Sequence, residues 1–235
     1  VPSLTEMLVD LGLENRLVGV TKFCVHPDYI RNTAEVIGGT KTIKIDKIES
    51  LNPDFILANK EENDFDDIME LSKRNPVYVS DINKIEDLID LIKKLSQIFK
   101  IDDEGNTLIE NIQSGFIKFR KNIEHQPKLR VAYFIWRDPW MVAASSTFID
   151  YMLGLNNFEN VYRNLERYPE VDIHNLNDVD YVLLSSEPFP FKDQHKKEFK
   201  LDSDKIEVVN GEYFSWYGSR LMKAFDYFEK LRDKL

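Results

Sequence analysis

Leu11-Gly12-Leu13-Glu14-Asn15 recurs as Leu153-Gly154-Leu155-Asn156-Asn157, and each copy follows a helix start containing Ser or Thr (Ser3 to Thr5, Ser145 to Thr147). Further along, Leu51-Asn52-Pro53-Asp54-Phe55-Ile56-Leu57 is echoed by Leu176-Asn177-Asp178-Val179-Asp180-Tyr181-Val182-Leu183. Both halves therefore read as an amphipathic helix ending at Leu-Gly-Leu, then a polar-to-aromatic step into a buried strand. A repeat on this scale is built from similar structural units. It implies two α/β lobes, and the cleft between lobes is a favoured place for a ligand.

Periodicity fills in the elements. Leu4, Met7, Leu8 and Leu11 are spaced for a helix that Ser3 or Thr5 caps, with Glu6 near its N-terminus and Gly12 stopping it. Apolar runs at 17–20, 55–58 and 77–80 predict three strands in the first half, with helices over 45–51, 65–73 and 84–99. Strands at 131–135, 181–184 and 206–209, with helices near 148–153, 193–199 and 219–234, predict three more strands in the second. Between them, Leu108, Ile112, Phe116, Phe119 and Ile123 recur at helical spacing with no proline from 103 to 124. The expected organisation is an N-terminal lobe over 1–102, an interlobe helix over 103–126 and a C-terminal lobe over 127–235. Strands alternating with helices imply mostly parallel short sheets, with ligand sites beyond the strand C-termini.

Composition narrows the function classes. The 235 residues carry a formal charge of −10, which repels phosphate backbones and argues against nucleic acid as a partner. Cys24 is the single cysteine, so an internal disulfide or a multi-cysteine metal centre is excluded. No run approaches the roughly 18 to 20 apolar residues of a membrane span, and no export signal is visible ahead of Val1-Pro2-Ser3. Neither a G-x-G-x-x-G nor a Walker-type loop supports nucleotide binding. The acidic surface and the lack of a heptad seam favour a monomer.

The chemistry-bearing residues lie just after the expected strands. Trp136-Arg137-Asp138-Pro139-Trp140, Ser185-Ser186-Glu187-Pro188 and Phe214-Ser215-Trp216-Tyr217 follow strands of the second half. Thr21 to Pro27 and Asn59-Lys60-Glu61-Glu62-Asn63 take equivalent places in the first. Aromatic rings at a rim suit a large, flat or partly apolar ligand, and Arg137, Arg167 and Arg220 are candidates for its carboxylates or amides. Packing of those rings within the lobes is the competing reading. Nucleophilic catalysis has little support: Cys24 and His26 alternate on a segment read as extended, and no G-x-S-x-G elbow is present. No bare-metal or catalytic site is expected, though His26 suits a metal already held in a macrocycle.

The combination of halves, linking helix and rim loops resembles the cobalamin- and iron-chelate-binding proteins of ABC importers, the helical-backbone metal receptor superfamily. The phrases that carry it are Pro2-Ser3-Leu4-Thr5-Glu6, Gly38-Gly39-Thr40-Lys41 and Leu51-Asn52-Pro53-Asp54-Phe55-Ile56, with Thr21 to Pro27, Ile135 to Met141, Arg167 to Val171 and Phe214 to Arg220. The family pattern's opening strand before the Pro-Ser is missing from this sequence. The resemblance implies two α/β lobes joined by one long helix that limits hinge motion. It also implies a receptor, not an enzyme, that captures a corrinoid or iron chelate between the lobes and delivers it to a membrane permease, outside the cytoplasm. The ligand contacts expected are Phe23, His26, Trp136, Arg137, Trp140, Arg167, Trp216 and Tyr217. Glu61, Glu62, Glu187 and Glu198 are the expected permease-docking residues. No covalent cofactor is expected; the ligand is a metal-containing macrocycle or chelate. The alternatives are a tetrapyrrole-handling enzyme or chaperone, using Cys24, His26 or Glu187, and a ligand-sensing module.

Overall fold

The computed structural model describes residues 1–176 and 178–235; Asn177 of the second repeat lies outside them. The chain forms two compact α/β units. One comprises Val1–Gln113 with Trp216–Leu221, and the other Ser114–Ser215 with Met222–Leu235.

The first unit starts with α1 (Pro2–Asp10), whose first residue is a proline; its fixed φ and missing N–H suit the first helical position. The helix thus begins ahead of the expected Ser3 or Thr5 cap, and both residues are buried within it. Gly12 follows at φ +76°, a left-handed value that a side chain resists. The chain then runs through β1 (Gly19–Val20), α2 (Ile30–Thr33), β2 (Glu35–Val36), α3 (Ile45–Ser50), β3 (Ile56–Asn59), α4 (Phe65–Ser72), β4 (Val77–Ser80) and α5 (Ile85–Phe99). β1 pairs with β2 and β3 with β4, both in parallel. Asp64 caps α4 by accepting from the Asp66 and Asp67 amides. On α5, Leu88, Leu91, Ile92 and Leu95 form the buried stripe that their spacing predicts.

The long helix α6 (Asp102–Ile123) contributes residues to each unit. Its start packs closely on α5: a Cβ on Gly105 would sit 1.8 Å from Ser96 Oγ, so only glycine permits this approach. In the second unit Phe119 stacks on Phe225 at 5.3 Å and also meets Phe228 at 6.0 Å, both on α9 (Leu221–Lys234).

The second unit is built on one sheet. β5 (Leu129–Trp136) lies at its centre, with parallel partners β7 (Phe158–Asn160) and β8 (Tyr181–Ser185); β9 (Ile206–Val209) extends the sheet beyond β8. A short antiparallel strand, β6 (Met141–Val142), pairs with the end of β5. Val131 to Phe134 are fully buried, as expected of a parallel strand covered on both faces. α7 (Phe148–Leu155) is capped by Thr147, which accepts from the Asp150 amide, and α8 (Gly211–Ser215) follows β9. Two expectations change here. β6 and β7 add to the three strands expected of this half, and 193–198 forms a 3₁₀ segment where an α-helix was expected.

Candidate functional site

Thr21 to Pro27 leaves β1 as a turn, closed by the Cys24 amide donating to Thr21 O at 3.0 Å, and is not the extended segment the sequence implied. Cys24 is fully buried, with Sγ 3.2 Å from Thr5 Oγ1 and 3.3 Å from Thr21 Oγ1. It packs with Val20, Ile30 and Ala34 and belongs to the core. Phe23 points the other way: it is 49% exposed, and the Lys22 ammonium lies 4.9 Å from its ring centre.

His26 meets Trp216 edge-on, with ring centres 5.5 Å apart. Trp216 is 8% exposed and is covered on another side by Arg220, whose guanidinium carbon lies 4.9 Å from its ring. Arg220 is not available as a ligand anchor, because it donates from Nε to Glu6 Oε2 (2.7 Å) and from Nη2 to Glu6 Oε1 (3.0 Å). Tyr217 is also buried; desolvation pushes its phenol well up, despite the neighbouring Ser80 and Ser3 hydroxyls. Trp216 and Tyr217 thus take the packing role that competed with ligand contact in the sequence.

The loop after β3 is held rigidly by one buried side chain. Asn59 Oδ1 accepts from the Glu61 and Glu62 amides at 3.0 and 3.1 Å, while its Nδ2 donates to Ser80 O and Oγ. Asn63 Oδ1 accepts from the Asn59 amide, and Asn63 Nδ2 donates to Thr40 O. Lys41 Nζ donates to the carbonyls of Glu61 and Asn63. The result is a braced turn that displays two adjacent glutamates.

In the second unit, β5 ends at Trp136, 39% exposed and edge-on to Phe189 at 5.9 Å. Arg137 Nε donates to both Glu198 oxygens (3.2 and 3.0 Å), and its Nη1 donates to Asp138 at 2.9 Å. The Glu198 hydrogen bond raises the Arg137 pKa further, so the guanidinium is held charged. Two residues assigned separate jobs, Arg137 and Glu198, are therefore each other's partners. Trp140 is half-buried among Phe134, Phe191 and Phe199, stacking on Phe191 at 5.8 Å. Arg167 is exposed at φ +62°; its amide donates to Ser145 O, and its carbonyl accepts from the Ala144 amide. Glu187 is half-buried, and its Oε1 accepts from Ser215 Oγ at 2.5 Å.

Sequence reasoning did not anticipate the Glu6–Arg220, Arg137–Glu198 or Glu187–Ser215 pairs, since separations of 214, 61 and 28 residues leave no local pattern. The Asn59 brace did have a signal: an Asn at both ends of Asn59-Lys60-Glu61-Glu62-Asn63, in a loop where Asx turns form. Among the described residues, no group of three or more His, Cys, Asp or Glu gathers as a metal site, and no helix is long and apolar enough to cross a membrane.

Residues 2–207 match the family described as periplasmic binding protein. A vitamin B12-binding protein of Vibrio parahaemolyticus is 24% identical over 179 residues, covering 74% of this chain and 64% of that relative, just under two thirds of its length. The crystal structure of the periplasmic vitamin B12 binding protein BtuF of Vibrio cholerae superposes with a TM-score of 0.85 at 19% identity, covering 100% of this chain and 96% of that one. A periplasmic heme binding protein from Pseudomonas aeruginosa superposes at 0.86 with 18% identity, covering 98% and 89%. At these identities the solved structures speak for the fold.

Proposed function

We propose that this chain, which belongs to the periplasmic binding protein family, is the ligand-capturing receptor of an ABC importer, and that its cargo is a corrinoid or an iron-bearing macrocycle or chelate. The observation that carries this reading is the pair of partly exposed rings at the strand ends. Phe23 follows β1, and Trp136 ends β5, where parallel α/β units bind their ligands. Relatives named for vitamin B12 and for heme bind cargo that presents a broad, partly apolar face. Exposed aromatic rings meet such a face with large area and little side-chain entropy to lose.

Within this reading Phe23, His26, Trp136, Trp140, Trp216 and Tyr217 contact ligand, with Arg137 and Arg167 near its polar periphery. Glu61 and Glu62, on a turn whose backbone is fixed by Asn59 and Lys41, suit docking onto a basic permease surface, because a braced backbone loses little freedom on pairing. Glu187 and Glu198 are the corresponding candidates in the second unit. The protein is a monomer that works outside the cytoplasm. The enzyme alternative is weakened by Cys24, whose thiol is sealed in the core.

Absorbance and calorimetric titration with cyanocobalamin, haemin and a ferric-siderophore panel tests the proposal. One-to-one saturable binding at micromolar Kd or tighter, with the ligand recovered unchanged, is the expected result. Failure of every ligand to bind overturns it.

A further inference from the structure

Behind the exposed ring of Trp136 lies a run of aromatic side chains that ends on a histidine. Trp136 meets Phe189 edge-on at 5.9 Å, and Phe189 lies 4.7 Å from Phe191, which stacks on Trp140 at 5.8 Å. The His195 ring touches both phenylalanines edge-on, at 5.5 Å from Phe189 and 5.6 Å from Phe191. Phe191 is buried, whereas Phe189 and His195 are half-buried, so the imidazole can exchange protons with solvent. The Phe189 amide donates to Ile135 O at 3.2 Å, which anchors this segment to the end of β5. All of these residues belong to the second unit.

His195 is the third residue of the 3₁₀ segment Asp193–Glu198, and its Nδ1 accepts from the Lys192 amide at 2.9 Å. A glutamate or glutamine oxygen commonly fills this capping place. An imidazole fills it only in the tautomer that carries its proton on Nε2. A second proton makes Nδ1 a donor, and two N–H groups cannot share a 2.9 Å contact. The ring must then swing away, and its contacts with Phe189 and Phe191 go with it. An imidazolium beside phenyl rings gains cation–π attraction, but only in the place that the opposed N–H groups deny it. The charged groups around it do not pin it there. Asp193 pairs with Lys196 at 2.9 Å, Glu198 pairs with Arg137 of the β5 end at 3.0 Å, and Glu187 accepts from Ser215. Lys192 and Lys197 are exposed cations on the same segment and add no attraction.

We infer that His195 is a positioning residue for Trp136: its imidazole fixes the Phe189 ring that backs the indole, and protonation loosens both, so that cargo is held less tightly as pH falls. The loss of affinity rests on Trp136 being a cargo contact; the movement of the indole does not. The linkage has one sign. The braced arrangement takes only the neutral ring, so a proton on His195 and cargo on Trp136 oppose each other, and each weakens the other by the same factor. The receptor then captures at neutral pH and releases more readily in acid.

The test follows the Trp136 indole N–H by NMR, assigned through Trp136→Phe, in ligand-free protein between about pH 8 and about pH 5, where imidazoles change charge. The wild-type indole signal is expected to move together with the His195 ring signals. In His195→Asn the side-chain Oδ1 stands where Nδ1 stood and accepts the same amide without titrating, so the indole is expected to stay still. Phe189→Leu cuts the relay but keeps the histidine; it is expected to uncouple the indole too, and it carries the test should the asparagine variant not fold. Affinity for cyanocobalamin and for haemin is then measured at both pH limits. Wild type is expected to lose about tenfold at the acid end, and either variant less than about threefold. A wild-type indole that stays still, or one that moves equally in both variants, overturns the inference. So does a cargo affinity that is independent of pH in wild type, or that falls equally in the variants. An indole that moves only in wild type, in a protein that binds neither macrocycle at neutral pH, upholds the positioning role and overturns the proposed cargo instead.

Discussion

Arg220 clasps Glu6 with two hydrogen bonds of 2.7 and 3.0 Å, joining residues 214 apart in the chain, and both side chains are buried. The same guanidinium covers Trp216, which in turn meets His26. The pair therefore fixes the backing of a rim ring as well as the return of residues 216–221 to the first unit.

Removing one partner of such a pair leaves a buried charge without its counter-ion. Arg220→Ala is expected to destabilise the protein by about 3 kcal/mol or more, whereas replacing both partners with apolar residues is expected to cost less. Urea unfolding of the two single variants and the double variant reads the coupling; additive losses sink the assignment.

If the exposed and backed rings both touch cargo, Trp136→Ala with Trp216→Ala weakens binding by at least ~2 kcal/mol. Calorimetry against the best ligand checks this, alongside circular dichroism to establish that the double variant is folded. Unchanged affinity in a folded double variant removes both rings from the site.

The buried thiol gives a direct test of the core assignment. Cys24 in native protein is expected to resist a thiol reagent and to react fully once the chain is unfolded in guanidinium. Rapid labelling of the native state would place the thiol at an accessible surface and revive a reactive role.

Alkaline behaviour follows from two phenols. Burial raises both Tyr133 and Tyr217 above the ordinary tyrosine value. A group whose folded pKa is raised contributes stability that is complete below its unfolded value, near 10, and is lost as pH climbs beyond it. Stability should therefore decline above about pH 10, with Tyr133→Phe and Tyr217→Phe each flattening the decline. Phenolate absorbance that rises before unfolding contradicts this.

Elements with a period of their own were legible in the chain. The spacing of Leu88, Leu91, Ile92 and Leu95 announced α5, and the apolar run at 131–135 announced a strand, which the structure buries on both sides. β6 and β7, with Met141–Val142 and Phe158–Asn160, are too short for alternation to register. The rim positions of Phe23 and Trp136 were legible because they follow strands. The burial of Trp216 and the engagement of Arg220 were not, since Trp216 packs on distant His26 and Arg220 pairs with Glu6 at the other end of the chain. The extended reading of Cys24 and His26 failed because the backbone turns at Thr21.

That distance in sequence also has a meaning in time. Because the first unit is completed by Trp216–Leu221, it cannot be finished while the rest of the chain is still being made. At ordinary synthesis rates of about 5 to 20 residues per second, Arg220 emerges roughly 10 to 40 s after Glu6. Until then the ion pair that ties residues 216–221 to the start of the first unit cannot form.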